Sequence, residues 1–389
     1  MAPPSRRLPP LMDELVEEIL LRFPPDDPAS LLRAALVCKR WCRLVSGPFF
    51  RRRFRELHRT SPMLGFLCFV PSRATISCFR HRGSGDTRFI STTSFRLSHA
   101  VVPSWRAVDA LHGRILFYDM DTSPETVELD LIVWNPITGE ARRLPMVPLY
   151  TYRWSAALLC AAPGCDHVDC GYGPFRVVVV ATEPFDGLTS ACVYSSEQHA
   201  WSVPISVQNL SVRILRGPSV LVANALYFKC DQNRILEYDM GKQELSVISL
   251  PSVCDGSCKA LMTAEDGGLG FAVVQRSKLS TWSRVDDGSN VGWAQRRVIE
   301  LDKLLPLSTI VTRVVAVVDV LGLIFIATYT GLFLFTIDLK SGLVRQIYED
   351  TERRDTRDIV PYTSFCTPAL GAASTDEGPR AGASSASKA

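Results

Sequence analysis

The chain has 389 residues, of which 47% are hydrophobic and 21% charged, an ordinary globular composition with enough length for two or more domains. Its formal net charge of +3 is too small to indicate nucleic acid or an anionic membrane as the main partner. The first ten residues lack the apolar run of a secretory signal, so we expect the twelve cysteines to be reduced thiols in a nuclear or cytoplasmic protein.

The segment after Pro10 has the spacing of an amphipathic helix. Apolar residues recur every four positions, while glutamates and an arginine take the polar side. Asp13 and Glu14 place negative charge in the first turn, where the helix dipole favours it. The helix is expected to end at Pro24. Its apolar positions are Leu11, Leu15, Ile19 and Phe23.

Three further helices are predicted before residue 60. The second begins with Asp27 as N-cap and Pro28 at the first helical position, where proline loses no intrahelical hydrogen bond. The third ends at Gly47. The fourth carries the basic run 51–53, which we interpret as a solvated helix face. Its inward residues are predicted to be Phe50, Phe54 and Leu57.

The apolar band on these helices is wider than a module of about fifty residues needs for its own core, so part of it should meet a partner. Residues 8–57 resemble an F-box, the helical module that binds the Skp adaptor of cullin-RING ubiquitin ligases. The resemblance rests on Leu-x-x-Glu-Leu from Leu11, on Ile19-Leu20, and on Val37-Cys38-Lys39-x-Trp41, with Met12 where many members have proline. The alternative is a four-helix surface module of unrelated purpose.

The resemblance implies a set of adaptor-binding residues. Ile19 and Leu20 point about a hundred degrees apart on a helix, so one of them, or the ridge between them, should face outward. The implied adaptor-binding residues are Leu8, Pro9, Leu11, Leu15, Ile19, Leu20, Val37 and Trp41.

After residue 62, short apolar runs separated by turn residues indicate an all-β region. Five anchors recur 44 to 60 residues apart, a spacing that brackets the blade lengths of β-propellers. We therefore predict a propeller of about six blades over residues 63–367, closed by a strand at 359–365 that pairs with the first blade. A pair of two-sheet sandwiches is the alternative. The anchors are Trp134, Tyr194, Tyr238, Trp282 and Ile337.

This region resembles the kelch-like, F-box-associated propellers that hold targets in plant F-box proteins, most clearly at the turn 134–139. The apolar stretch 314–337 contains Asp319 and is interrupted by Gly322 and Gly331, so we predict buried strands and no transmembrane helix. Residues 1–7 and 368–389 have no apolar spacing and should be disordered.

One group of residues has the composition of a metal site. Three cysteines and a histidine fall within eleven positions, but three of them are crowded into six residues, whereas structural zinc sites usually take ligand pairs from two turns. We therefore favour idle thiols on a surface loop, without stoichiometric zinc, and keep a zinc site as the alternative. The four residues are Cys160, Cys165, His167 and Cys170.

The sequence contains no nucleophile elbow, phosphate-binding loop or zinc-protease motif. His112, Asp239 and Asp338 are interpreted as turn or packing residues. We therefore expect a non-enzymatic subunit without cofactor that joins a Skp adaptor, and through it a cullin, to an unidentified target protein. The alternatives are an F-box protein that acts outside ubiquitination, and a propeller enzyme with carboxylates or histidines converging on its channel.

Overall fold

The computed structural model describes residues 11–71, 85–97, 101–120, 129–165, 167, 170–183, 187–208, 210, 212–231, 233–254, 259–286, 291–305, 312–328, 333–349 and 357–367. Within these ranges, four α-helices precede twenty-four β-strands. The segments predicted to be disordered, 1–7 and 368–389, lie outside the described residues.

The four helices form a small bundle around one apolar core. They are α1 (Asp13–Leu21), α2 (Pro28–Ala35), α3 (Lys39–Ser46) and α4 (Pro48–His58). Pro28 and Pro48 each open a helix, as their missing N–H allows. Phe50 and Phe54 are buried, but Leu57 is 58% exposed, so its predicted inward position is wrong. The core near Phe54 is instead completed by the ring of His58, whose centroid lies 4.5 Å away.

The strands form six antiparallel sheets, which are the blades of a propeller. Blade 1 contains β3 (Trp105–Leu111), β4 (Arg114–Asp119), β5 (Leu131–Trp134) and β6 (Ala141–Arg143), and blade 2 contains β7 (Arg153–Cys160), β8 (Phe175–Thr182), β9 (Thr189–Ser195), β10 (Ala200–Trp201) and β11 (Ile205–Val207). Blade 3 contains β12 (Val220–Val222), β13 (Ala225–Lys229), β14 (Arg234–Asp239) and β15 (Glu244–Ser249), and blade 4 contains β16 (Lys259–Thr263), β17 (Leu269–Gln275), β18 (Lys278–Asp286) and β19 (Val291–Glu300). Blade 5 contains β20 (Thr312–Val318), β21 (Leu323–Thr328), β22 (Phe333–Asp338) and β23 (Val344–Glu349), and blade 6 contains β1 (Met63–Pro71), β2 (Gly85–Ser91) and β24 (Arg357–Thr363).

Neighbouring blades pack against each other through clusters of buried apolar side chains. Each of the six interfaces of the ring has one such cluster. Strand β8 is continuously apolar from residue 177 to residue 181, because both of its faces pack against a neighbouring blade. Val177 and Val179 face blade 1, whereas Val178 and Val180 face blade 3, since successive side chains on a strand point to opposite sides. Burial on both faces explains the absence of a polar alternation.

The ring is closed by strands from both ends of the β region. In blade 6, β24 pairs antiparallel with β1 and contacts the innermost strands of its neighbours, β3 and β20. The closing strand predicted at 359–365 is confirmed, since it pairs with β1, the first strand after the helices. Its observed bounds are Arg357–Thr363. All five anchors lie on the third strand of their blade. The predicted fold class, a helical module followed by a propeller of about six blades, is confirmed.

The hairpin between the third and fourth strands repeats in three blades. Asn135, Asp239 and Asp338 follow the third strand or end it, and each side chain accepts hydrogen bonds from two backbone N–H groups of the turn. These bonds, chiefly from Lys242 and Lys340 respectively, lower the pKa of Asp239 and Asp338. The interpretation of both aspartates as turn residues is therefore correct.

The apolar stretch 314–337 falls on β20, β21 and β22, in agreement with the predicted buried strands. Among the residues that the structure describes, no helix is both long and apolar enough to cross a membrane.

Candidate functional site

A row of apolar side chains lies on the outer face of α1. Leu15 and Ile19 are four residues apart on one side of the helix, and Leu11 lies two residues before the helix begins at Asp13. Leu11, Leu15 and Ile19 are 53%, 47% and 53% exposed, respectively. These three residues are called the α1 ridge below. Among the described residues, they belong to none of the buried apolar clusters, and they form an exposed apolar surface that a partner could cover.

The neighbouring residue Leu20 lies on the opposite side. It is 1% exposed and belongs to the core of the helical bundle with Val16 and Leu31. The expectation that Leu20 binds the adaptor is therefore corrected, because a side chain inside this core cannot contact another protein. Trp41 is half-buried and packs against the same core. Of the adjacent pair, it is Ile19 that faces outward.

The helical bundle carries more exposed apolar residues. Leu36 and Val37, in the connection between α2 and α3, are 84% and 65% exposed, and Phe49 at the start of α4 is 69% exposed. Val37 belongs to the adaptor-binding set implied by the sequence, whereas Phe49 does not. The adjacent pair Phe49-Phe50 could have indicated Phe49, because two neighbouring rings on a helix cannot both point into the core. The predicted contacts Leu8 and Pro9 lie outside the described residues.

Ion pairs hold α1 with its apolar ridge outward. Arg53 on α4 donates to Glu17 at 2.8 Å and to Glu18 at 2.9 Å, and these carboxylates, Glu17 first, raise the pKa of its guanidinium. At the other end, Arg40 on α3 donates to the carbonyl oxygen of Leu11 at 2.7 Å and to Asp13. Because the polar side of α1 is engaged by α3 and α4, its orientation in the bundle is set.

The core of the helical bundle includes a residue from the β region, and this contact joins the bundle to the propeller. Phe365, two residues after β24, packs in the bundle core with its ring edge-on to Phe54 at a centroid distance of 6.1 Å. At the N-terminus of α2, the carboxylate of Asp27 accepts hydrogen bonds from Ser30 at 2.5 Å and from Ser94 at 2.8 Å. Asp27 occupies the predicted N-cap position, but its side chain ties α2 to the loop after β2 and makes no capping hydrogen bond.

The propeller encloses a cavity of about 770 Å³ at the end of the channel where β3, β7, β20 and β24 end. Two aspartates line it. Asp109 is buried and accepts hydrogen bonds from the backbone N–H of Leu158 and of Ala110, both at 2.9 Å. Asp319 accepts from the N–H and hydroxyl of Thr263, both at 2.9 Å. Each carboxylate therefore joins neighbouring blades.

Burial changes the proton affinity of both aspartates. It raises the pKa of Asp109 to about 7, because loss of hydration outweighs the hydrogen bonds from Leu158 and Ala110. Burial raises the pKa of Asp319 as well. A propeller enzyme would need carboxylates free to act on a substrate, whereas these two are engaged in contacts between blades.

The loop between β7 and β8 brings the three cysteines and the histidine together. The ligand atoms of Cys160, Cys165, His167 and Cys170 all lie within 4.8 Å of one another. The crowded spacing predicts idle thiols on a surface loop. In the structure the backbone is left-handed at Gly164 and His167, and the loop brings these side chains together in spite of their crowded spacing.

The surroundings of this cluster are partly buried. Burial raises the pKa of the Cys160 thiol and of the Cys170 thiol. The ring of His112, from the turn between β3 and β4, stacks on that of His167 at a centroid distance of 4.9 Å. Burial, helped by His167 and Arg114, lowers the pKa of His112 to about 4, so this imidazole is neutral at physiological pH.

Comparison with known proteins agrees with this architecture. Residues 106–370 match the family described as F-box protein AT5G49610-like, beta-propeller, and residues 13–56 match the F-box-like family. F-box protein At5g03970 of Arabidopsis thaliana is 24% identical over 292 residues, a match that covers 71% of this chain and 66% of that protein, just under two thirds of its length.

Solved structures resemble the chain only distantly. A chain of a nidogen/laminin complex has a TM-score of 0.43 at 10% identity, covering 76% of this chain and 98% of that chain. TolB from Acinetobacter baumannii has a TM-score of 0.45 at 11% identity, covering 79% of this chain and 69% of that chain. Scores this low carry no argument about function. The two family matches do, since the propeller family covers more than half of the sequence. The chain therefore belongs to the F-box proteins with an AT5G49610-like β-propeller.

Proposed function

We propose that this protein is a substrate-recruiting subunit of an SCF-type ubiquitin ligase. The α1 ridge would bind the Skp adaptor, and the adaptor would bind the cullin. The propeller would hold a target protein so that a ubiquitin-loaded enzyme on the same scaffold can reach its lysines. The chain would then contribute proximity and no chemical group to the transfer reaction.

The observation that carries this proposal is the exposure of the α1 ridge. Its three side chains have about half of their surface in water. Full burial of such a side chain contributes about 1.5 to 3 kcal/mol, so covering the exposed half contributes about 1 kcal/mol for each. The ridge could thus supply about 3 kcal/mol, which corresponds to roughly a hundredfold in affinity.

The test is a double substitution, Leu15→Asp with Ile19→Asp, in the full chain. A carboxylate buried at the interface without a partner costs more than the lost apolar contact, so adaptor binding should fall by more than about a hundredfold. Co-precipitation from plant cell extract, with purified adaptor titrated in parallel, measures this loss. Because both side chains are exposed, the far-ultraviolet circular dichroism should not change.

The matched control is Val291→Asp on blade 4, since Val291 is 53% exposed, the same fraction as Ile19. This variant should bind the adaptor at wild-type strength. If the folded double variant also does so, the proposed interface is wrong.

A role outside ubiquitination is the second candidate, because the same ridge would serve a protein that binds the adaptor alone. Co-purification of a cullin with the wild-type chain, lost in the double variant, supports the ligase role. Adaptor without cullin under the same conditions supports the alternative. Comparison of protein abundance in cells with and without this chain would identify the target, and a fluorescent fusion would test the expected nuclear or cytoplasmic location.

A further inference from the structure

The cluster at the β7–β8 loop has the composition and size of a four-coordinate metal site. In a tetrahedral zinc site, Zn–S distances of about 2.3 Å and Zn–N distances of about 2.0 Å place neighbouring ligand atoms roughly 3.5 to 3.8 Å apart. The Sγ of Cys170 lies 3.7 Å from Nδ1 of His167, which already matches such an edge. Since all four ligand atoms lie within 4.8 Å of one another, closing the site needs shifts of about 1 Å.

The backbone of the loop supplies hydrogen bonds to two of the sulfur atoms. The N–H of Ala162 points to the sulfur of Cys160, and the N–H of His167 donates to the sulfur of Cys165 at 3.4 Å. In both cases the donor lies two residues after the cysteine. Such bonds orient metal-bound thiolates and reduce their charge, as outer-shell hydrogen bonds do in metal sites generally.

The neighbouring blade completes the environment of the cluster. Three thiolates on a divalent ion leave a net charge of −1, and Arg114 on β4, which interacts electrostatically with Cys170 and Cys160, opposes it. Arg114 is fixed there by a 2.5 Å hydrogen bond to the carbonyl oxygen of Gly173 and by packing over the ring of Phe175 at 4.8 Å. The ring of His112 stacks on that of His167 and limits its movement.

We propose that Cys160, Cys165, His167 and Cys170 form a structural zinc site. Four protein ligands leave no open coordination position, so the ion would stabilise the loop and would not act on a substrate. Two cavities share this loop as a wall. One is the cavity of about 770 Å³ at the channel end, and the other, of about 340 Å³, lies between the propeller and α4 and includes Arg55 and Phe365. The ion would therefore hold the propeller surface that faces the helical bundle.

The experiment measures zinc in the full chain, expressed with zinc in the medium and purified with a reductant. We expect about one zinc ion per chain by elemental analysis. Loss of an outer-shell partner weakens metal affinity about 10- to 100-fold, so loss of a ligand should cost at least that much. His167→Asn and Cys165→Ser should therefore lose the zinc on dialysis. His167 is exposed and Cys165 is half-buried, so these variants should fold.

The control is Cys366→Ser, which removes a half-buried thiol outside the cluster and should keep its zinc. Replacement of zinc by Co²⁺ gives a second readout, because tetrahedral thiolate coordination produces characteristic visible absorption bands. These bands should appear in the wild-type chain and in Cys366→Ser, and should be absent in His167→Asn.

Three results would overturn the proposal. They are a wild-type chain without bound zinc, zinc retained by both ligand variants, and a disulfide between two cysteines of the cluster in the purified chain, found by mass spectrometry without prior reduction.

Discussion

Tyr362 on β24 tests whether the propeller depends on its closing strand. The side chain is fully buried, and its ring lies 6.1 Å from that of Phe89 and 6.4 Å from that of Phe95, both in the N-terminal part of blade 6. Its hydroxyl donates a 3.1 Å hydrogen bond to the carbonyl oxygen of Gly113 in blade 1. Tyr362 therefore joins the N-terminal part of its own blade to blade 1, whose Gly113 lies 249 positions earlier in the sequence.

Two substitutions separate the contributions of this residue. Tyr362→Phe keeps the ring and removes the hydroxyl from the buried carbonyl of Gly113, which should lower the free energy of unfolding by about 1 kcal/mol. Tyr362→Ala also removes the ring from a closely packed site, and loss of a buried aromatic side chain costs about 3 to 5 kcal/mol. The expected difference between the variants is therefore about 2 to 4 kcal/mol.

Urea unfolding of the full chain, followed by far-ultraviolet circular dichroism, measures both values. Removal of residues 359–365 should have a larger effect, because it leaves the edge of β1 unpaired and exposes the facing surfaces of blades 5 and 1. If the truncated chain keeps a wild-type unfolding profile, or if Tyr362→Ala is no less stable than Tyr362→Phe, closure through β24 does not stabilise the ring.

Three further sets of substitutions test the packing and the buried charge. Leu20→Ala should lower the free energy of unfolding by about 2 to 5 kcal/mol, whereas Ile19→Ala should change it by less than about 0.5 kcal/mol, as measured in urea. The pKa of Asp109 rises on folding from 3.8 to about 7, so between these values the folded state holds a proton that the unfolded state has lost. Stability should therefore decrease as pH increases from about 4 to 7, by up to about 1.4 kcal/mol per pH unit, and Asp109→Asn should flatten this dependence in urea titrations across that range. In Gly65→Ala, the added Cβ would lie 2.4 Å from the carbonyl oxygen of Ile90, and this clash should lower the melting temperature. An unchanged melting temperature would show that β1 and β2 can move apart without loss of stability.

The blades could be predicted because the third strand of five of them carries a large apolar residue, buried or half-buried, that recurs every 44 to 60 residues. Trp134, Tyr194 and Tyr238 fill equivalent interfaces, so their spacing reflects the repeat directly. The closing strand followed from the same reasoning, since a ring whose last unit is incomplete needs a partner for β1.

The phase of α1 could not be read from its sequence. Leu15, Val16, Ile19 and Leu20 form one continuous apolar band of about 140° around the helix, and the sequence alone does not show which edge of this band faces the core. In the structure Val16 and Leu20 pack in the bundle core, and the ion pairs from Arg53 and Arg40, which are 27 to 36 positions away in the sequence, agree with this orientation.

The convergence of the cysteines depends on backbone conformations that the sequence does not signal. Gly164 permits a left-handed turn, but His167 adopts one as well, with φ of 57°. Few non-glycine residues do so, and no local pattern marks which ones will. The contact of Phe365 with the helical bundle is similarly invisible, because it joins residues more than 300 positions apart.

The placement of Phe365 links the order of synthesis to the assembly of both parts. Ribosomes release the N-terminal helices first, yet the core of those helices includes a side chain from the far end of the β region. A nascent or prematurely terminated chain that stops before residue 357 lacks both the strand that closes the ring and the phenylalanine that packs against Phe54. Such a product has an incomplete propeller and an incomplete helical core together. An intact helical bundle is thereby coupled to a completely translated propeller.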